Sequence, residues 1–202
     1  GLISDIRRWL PDHTIIAGPA GPQRFDALGD MAPFDDANVI YAVHYYDPFL
    51  FTHQGANWGG PDDPLQYLHG LPFPAHLEDE SVRANIAELR AAGRSEIANE
   101  LAGSLSEPWT EAGIAEAFAV MAHWSQRTGQ PVIVNEFGTL SFVAPRESRL
   151  AWLAAVGRQA EAHCIGWAHW DFQDGFGLMD PETGLPDQGV VDALAPAERQ
   201  DY

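Results

Sequence analysis

The residue whose type and position most invite chemistry is Glu136, in the run PVIVNEFGTL from Pro131 to Leu140. Pro131 to Val134 read as a buried parallel strand: β-branched, uncharged, and led by a proline that needs no donor at a strand start. Asn135 and Glu136 follow directly, and Phe137-Gly138-Thr139 leaves the strand at a glycine. Glu136 is therefore expected at the carboxyl end of the strand, where barrels of parallel strands keep their catalytic groups. A carboxylate placed there can act as nucleophile or as general acid or base, and it can equally be a strand-end group salt-bridged for structure.

Other chemistry-bearing side chains cluster at what read as similar strand ends. His44 and Tyr46, two residues apart in VIYAVHYY, project on one face of an extended strand. Trp170 and Asp171 close the run CIGWAHWDF, and Asp174 follows in the glycine-rich turn DGFG. Both aspartates read as acids or as turn caps. His44 reads equally as a ligand contact or as a satisfied core histidine. His53, His69 and His76 lack metal-ligand spacing such as HExxH and read as polar loop surface. No metal and no cofactor are expected.

The elements that must position these groups follow from periodicity. Leu2, Ile6 and Trp9 or Leu10 recur at helical spacing up to Pro11-Asp12-His13. Thr14 to Ala17 is a short strand, Gln23 to Met31 a short helix, and Val39 to Tyr46 a second strand. A long excursion runs from Asp47 to Pro108, with Val82, Ile86, Leu89, Ile97 and Leu101 on one apolar stripe and a helix break at Gly93. Thr110 is expected to cap a helix with Ile114, Phe118, Met121 and Trp124 or Ser125 inside, stopped by Gly129. The strand bearing Glu136 comes next, then a helix from about Arg146 to Ala162, a fourth strand from Cys164 to Phe172, and a closing helix in GVVDALAP. Helix alternating with strand is an α/β signature, and four strands make half of a (β/α)8 barrel, taken as one domain over 1–202 with a loop insertion at about 47–108.

Composition narrows the partners. With a net charge of -18 and a pI near 4.5, the chain repels nucleic acid and anionic membrane surfaces, and a neutral ligand fits better. Seven Trp, five Tyr and ten Phe exceed the needs of a core this size, as expected of rings that stack on flat ligand faces. The first ten residues read as a helix rather than a secretory leader, and no apolar run is long enough to span a membrane. The single Cys164 cannot form an intrachain disulfide and leaves the redox compartment open.

Four stretches, IIAGP, VHYYDPFLFTHQGANW, VIVNEFG and GWAHWDFQDGFGLMD, resemble the fifth to eighth strands of glycoside hydrolase family 5, the retaining (β/α)8 cellulases and endoglucanases. The resemblance implies a β-linked polysaccharide or oligosaccharide substrate, an endo-β-1,4-glucanase activity and, by family habit, secretion. It places Glu136 on the nucleophile, His44 and Tyr46 on the strand-six pair beside it, and Trp170 on the sugar-stacking floor. Trp58, in QGANW, becomes a loop contact to substrate. Asn135 joins the substrate-binding residues; the Asn-Glu pair looks like the one the family carries at its acid/base, but the following Phe-Gly suits the nucleophile position.

The same resemblance implies an omission, because the family's first four strands, with the acid/base, have no counterpart here, and the chain reads as starting just past that acid. Retaining hydrolysis needs two carboxyl groups about 5–5.5 Å apart. Asp171 and Asp174 are the nearest substitutes for the acid. Two expectations stand: a truncated cellulase-like hydrolase, or a weak or inactive carbohydrate-binding half barrel. A half barrel exposes its inner sheet face and two strand edges, so a homodimer completing the barrel is expected.

Overall fold

The computed structural model describes residues 1–196. Its elements run α1 (Leu2–Arg7), β1 (Ile15–Ala17), α2 (Phe25–Asp30), β2 (Val39–Tyr45), α3 (Phe49–Thr52), a 3-10 turn (Pro64–Tyr67), α4 (Glu80–Ala91), α5 (Ser95–Ser104), α6 (Glu111–Thr128), β3 (Val132–Phe137), α7 (Arg146–Ala162), β4 (Gly166–Trp167) and α8 (Gln188–Leu194). The four strands form one parallel sheet in the order β1-β2-β3-β4. A sheet in which every neighbour is parallel needs a crossover between strands, and the helices supply it.

One face of the sheet is covered and carries the core. Val39, Tyr41, Val43 and Tyr45 of β2 are buried at every second position, with Val132, Val134 and Phe137 of β3 beside them. Tyr41 packs on Trp124 of α6 with ring centres 4.6 Å apart, and Tyr45 lies between Phe118 of α6 at 5.4 Å and Trp152 of α7 at 6.1 Å. Removing either fully buried tryptophan should cost about 3–5 kcal/mol, a large share of a domain's net stability. The other face is open. Along β4 and its continuation, Gly166, Ala168 and Trp170 are exposed, while Ile165, Trp167 and His169 between them are not, and Ile16 of β1 is 60% exposed.

The local expectations divide between those that hold and those that do not. The first helix ends at Arg7, whose guanidinium turns away to bond Asp36 and the Asn38 carbonyl, leaving Trp9 85% exposed. Thr110 occupies the N-cap position of α6 without a side-chain hydrogen bond, so its expected cap is not made. Gly93 and Gly129 break their helices at φ of +76° and +70°, the left-handed conformation that glycine adopts without a Cβ penalty. Within the Asp47–Pro108 segment the chain forms α3, the 3-10 turn, α4 and α5, and the stripe from Val82 to Leu101 is buried.

The fourth strand is shorter than its apolar run. Cys164 belongs to the turn that ends α7, at φ +54° with its amide bonded to the Glu161 carbonyl. Beyond Trp167 the amides of Ala168 and Trp170 still bond the Val134 and Phe137 carbonyls, but the regular ladder stops there. The ladder stops beside an irregularity in β3, which sits opposite the β2 step from Val43 to His44.

Candidate active site

That irregularity aims the carboxylate. Val43 pairs with Val134, but His44 pairs with Glu136, so Asn135 is the extra residue of a β-bulge. Side chains alternate along a strand, and Val132 and Val134 face the helices. Uninterrupted alternation would send Glu136 into that apolar core, at the cost of an unpaired buried charge. The bulge resets the count: Phe137 joins the core, and Glu136 shares the open face with His44. The Oδ1 of Asn135 is buried without a hydrogen-bond partner among the described residues.

Both oxygens of Glu136 are held. The Tyr46 hydroxyl donates to Oε1 at 2.8 Å, and His44 Nε2 lies 2.8 Å from Oε2. The carboxylate side chain keeps 20% of its surface exposed, and that of His44 keeps 27%. Tyr46 has its phenol pushed well above the ordinary tyrosine range, first by burial and then by the bond to Glu136. It therefore stays protonated as a donor at any ordinary pH.

The backbone around this pair is tightly stitched. Thr52 Oγ1 donates to the Tyr46 carbonyl at 2.6 Å, and the Thr52 carbonyl accepts from the Leu140 amide at 2.8 Å. The Trp170 amide donates to the Phe137 carbonyl at 2.8 Å, one residue past Glu136. Gly138 is required at this crossing, since a Cβ there would collide with the Trp170 carbonyl oxygen.

An aromatic cluster backs Tyr46. Its ring meets His53 at 4.9 Å and Phe176 at 5.9 Å, both edge-on, while Trp58 packs against His53 at 6.1 Å and Phe176 at 6.2 Å. Trp58 remains 59% exposed and Trp170 48%, so each ring keeps a face open to solvent. His53 corrects the expectation of a polar loop surface. It is buried, stacked on Phe49 at 3.9 Å with Nδ1 3.0 Å from Thr52 Oγ1, and burial lowers its pKa to about 4. His69 is exposed beside Glu88. Among the described residues no group of three His, Cys, Asp or Glu side chains has metal-binding geometry, and no helix is long and apolar enough to cross a membrane.

Asp171 and Asp174 make a turn. The Asp171 Oδ1 accepts from the Asp174 amide at 3.0 Å, and burial raises the Asp171 pKa. Asp171 also lines a cavity of about 330 Å³ with His169, Phe172, Leu178 and Val191.

With this geometry in place, comparison with known proteins is decisive at the level of family. The model for cellulase, glycosyl hydrolase family 5, matches residues 2–173. The chain belongs to that family. Endoglucanase 3 of Fibrobacter succinogenes is 31% identical over 193 residues, which cover 96% of this chain and 28% of that protein. Endoglucanase C of Acetivibrio thermocellus is 25% identical over 175 residues, 84% of this chain and 47% of its own length. Among solved structures, the cellulose synthase subunit Z of Clostridioides difficile superposes with a TM-score of 0.70 at 25% identity, covering 96% of this chain and 52% of that one. Endoglucanase Cel5A of Thermotoga maritima gives 0.69 at 27% identity, with 95% and 51% covered. The family 5 chain described here thus spans about half or less of the length of these relatives, and its four parallel strands are consistent with part of a family 5 barrel.

Of the site residues expected from sequence, the structure brings Glu136, Tyr46 and His44 into direct contact and stitches the Trp170 backbone beside them. It sets Trp58 behind Tyr46 through His53 and Phe176. Phe176, His53 and Arg149 escaped the sequence reading. His53 and Phe176 had a signal in their neighbours, FTHQGANW and DGFG, whose small residues let a loop pack closely. Arg149 had none, because a helical arginine reads as solvated surface.

Proposed function

We propose that this chain carries the nucleophile side of a retaining β-1,4-glucanase, with Glu136 as nucleophile. The observation that carries the reading is the pair of 2.8 Å contacts that hold both Glu136 oxygens on the open face of the sheet. A carboxylate fixed this way keeps one orientation toward the open face, the condition for attack on an anomeric carbon. Attack forms a glycosyl ester at Glu136 and releases the leaving oxygen, which takes a proton from a general acid. Water then attacks the same carbon, loses its proton to the conjugate base of that acid, and frees Glu136. Tyr46 and His44 orient the carboxylate throughout, Trp170 and Trp58 are the stacking faces for sugar rings, and Asn135 lines the site at the bulge.

β-Glucan is the substrate class that the endoglucanase relatives support. Thermotoga maritima Cel5A has been solved with cellobiose and with mannotriose, so a β-mannan is the nearest competitor. A general acid is the part of the mechanism that Glu136, His44 and Tyr46 do not supply. Asp171 is the weaker candidate, because its carboxylate is committed to the turn with Asp174. A second copy of this chain, its β4 edge against the β1 edge of the first, is the simplest completion of the strands, and it brings a partner's Trp170 turn to the place of the acid.

The non-catalytic reading, a carbohydrate-binding half barrel, is favoured by that same commitment of Asp171 and by the exposure of Trp58 and Trp170. An activated 2-deoxy-2-fluoro-cellobioside separates the two, because its fluoride or dinitrophenolate leaving group departs without a general acid. Mass spectrometry should find one fluorocellobiosyl group on Glu136 and none in Glu136→Gln. A folded chain that binds cellotetraose and is never labelled is a binding module.

A further inference from the structure

One buried cation, away from the reacting carboxylate, holds together the two loops that frame it. Arg149, in the first turn of α7, is 5% exposed. Its Nε donates to the Thr139 carbonyl at 3.1 Å, and its Nη2 donates to the carbonyls of Phe176 at 3.2 Å and Gly177 at 2.9 Å. None of these partners is a carboxylate. Asp187 and Asp171 act on it only at a distance, Arg146 opposes them, and burial pulls its pKa down. A guanidinium out of water and bonded only to carbonyls is costly, and an apolar side chain would fill the same space at less cost if packing were its whole purpose.

Its carbonyls show what that cost supports. Thr139 is three residues past Glu136, and its neighbour Leu140 bonds the Thr52 carbonyl, while the Thr52 hydroxyl holds the Tyr46 carbonyl. Phe176 supplies the ring that meets Tyr46, His53 and Trp58 edge-on or tilted. The guanidinium therefore ties the backbone leaving Glu136 to the ring that backs Tyr46 and Trp58. We propose that Arg149 is a positioning residue, setting the Glu136–Tyr46 pair and the Trp58 face relative to one another through its clamp on Thr139 and Phe176. This deepens the reading of Glu136 as nucleophile and rests on it for its importance to catalysis. The planar fork is essential: a lysine keeps the charge but gathers its donors on one nitrogen and cannot span carbonyls on two loops.

The test uses the chain carrying Arg149→Lys and Arg149→Met, with tyrosines labelled at Cζ for NMR and Tyr46→Phe to assign the Tyr46 signal. In both folded variants the Tyr46 Cζ resonance at pH 7 should move from its parental position, as water reaches a ring no longer backed by Phe176, while the resonances of Tyr41 and Tyr45 stay in place. Cellotetraose affinity, read by tryptophan fluorescence, should fall at least about tenfold in both, the scale of one lost charge-assisted hydrogen bond. A folded Arg149→Lys with the parental Tyr46 resonance and affinity overturns the proposal, and so does a joint shift of the Tyr41, Tyr45 and Tyr46 resonances, which marks general loosening. If neither variant folds, the coupling is read in reverse: Glu136→Gln and Tyr46→Phe should each shift the Arg149 Nε–H resonance, and a resonance unchanged in both overturns it. A parent chain that binds no cellotetraose refutes the glycan reading, while the Tyr46 resonance still decides the role of Arg149.

Discussion

Acidification from pH 7 to 5 should destabilise this protein, through two histidines that the fold keeps neutral. His53 has its pKa lowered from 6.5 to about 4 by burial, against a small opposing pull from Asp63. His169 is lowered equally, by burial first and then by the charge of Arg149, with a backbone bond at Asp171 opposing. Its Nε2 is buried without a hydrogen-bond partner among the described residues. The unfolded chain takes up protons at these rings below 6.5, whereas the native one does so only near 4. Stability is thus fully present above 6.5, declines as the pH falls, and reaches its full loss at about 4. At pH 5 the unfolded rings are about 1.5 pH units below their midpoint, worth roughly 2 kcal/mol for each ring at ~1.4 kcal/mol per unit. Residual solvent contact reduces this, so the pair should cost on the order of 3 kcal/mol, a substantial part of a typical 5–15 kcal/mol. Urea unfolding followed by tryptophan fluorescence at pH 7, 6 and 5 measures the loss, and His53→Phe should remove about half of its pH dependence. The carboxylate Asp187, held at about 2 chiefly by its bond with Arg146, contributes in a separate window, with stability lost as the pH falls from 3.8 through 2. A midpoint that stays constant from pH 7 to 5 would refute the argument.

Four further outcomes follow from the geometry. Tyr46→Phe leaves Oε1 of Glu136 without its donor, and trapping by the fluorosugar should slow at least about tenfold, for a bond of roughly 1.5–3 kcal/mol. Gly138→Ala drives a Cβ into the Trp170 carbonyl; thermal melts should show a loss of about 1–3 kcal/mol together with a changed Trp170 fluorescence, and an unaltered melt would mean that the two loops separate freely. Asp187→Asn keeps a capping oxygen for the Gly189 and Val190 amides but breaks the bidentate pair with Arg146, so it should cost less than Asp187→Ala, for which about 1 kcal/mol or more is expected from the cap alone. Light scattering at micromolar concentration should give twice the 22.1 kDa chain mass, and a folded sample at the single-chain mass excludes the dimer.

How far the sequence carried the reading depended on whether each feature had a local signal. Glycine punctuation made Gly93 and Gly129 legible as helix ends, since a left-handed residue is demanded there whatever surrounds it. The carboxyl ends of β2 and β3 were legible as abrupt changes from apolar to polar, and Glu136, Tyr46 and His44 came with them. Features set by another part of the chain were not legible. Cys164 looks like the start of a strand, yet the end of α7 claims its backbone. His53 looks like loop surface, yet Phe49, Phe176 and Tyr46 enclose it.

The bulge at Asn135 stands between these two cases. Alternation from Val132 would carry a charge into the core at Glu136, and a fold cannot sustain that without a partner. The sequence VIVNEF therefore admits only two outcomes: the strand ends before Glu136, or it gains a residue. The structure takes the second, and gains by it. A strand that ended at Val134 would leave Glu136 on a mobile loop, free to turn from its donors. By bulging, β3 continues to Phe137, which anchors the far side of the carboxylate against Trp152 and Trp167 in the core and accepts the Trp170 amide. Glu136 is thus pinned in backbone on both sides, with an apolar anchor before it at Val134 and another after it at Phe137. Two short hydrogen bonds then suffice to fix its oxygens, because the bulge has already removed the freedom that they would otherwise have to overcome.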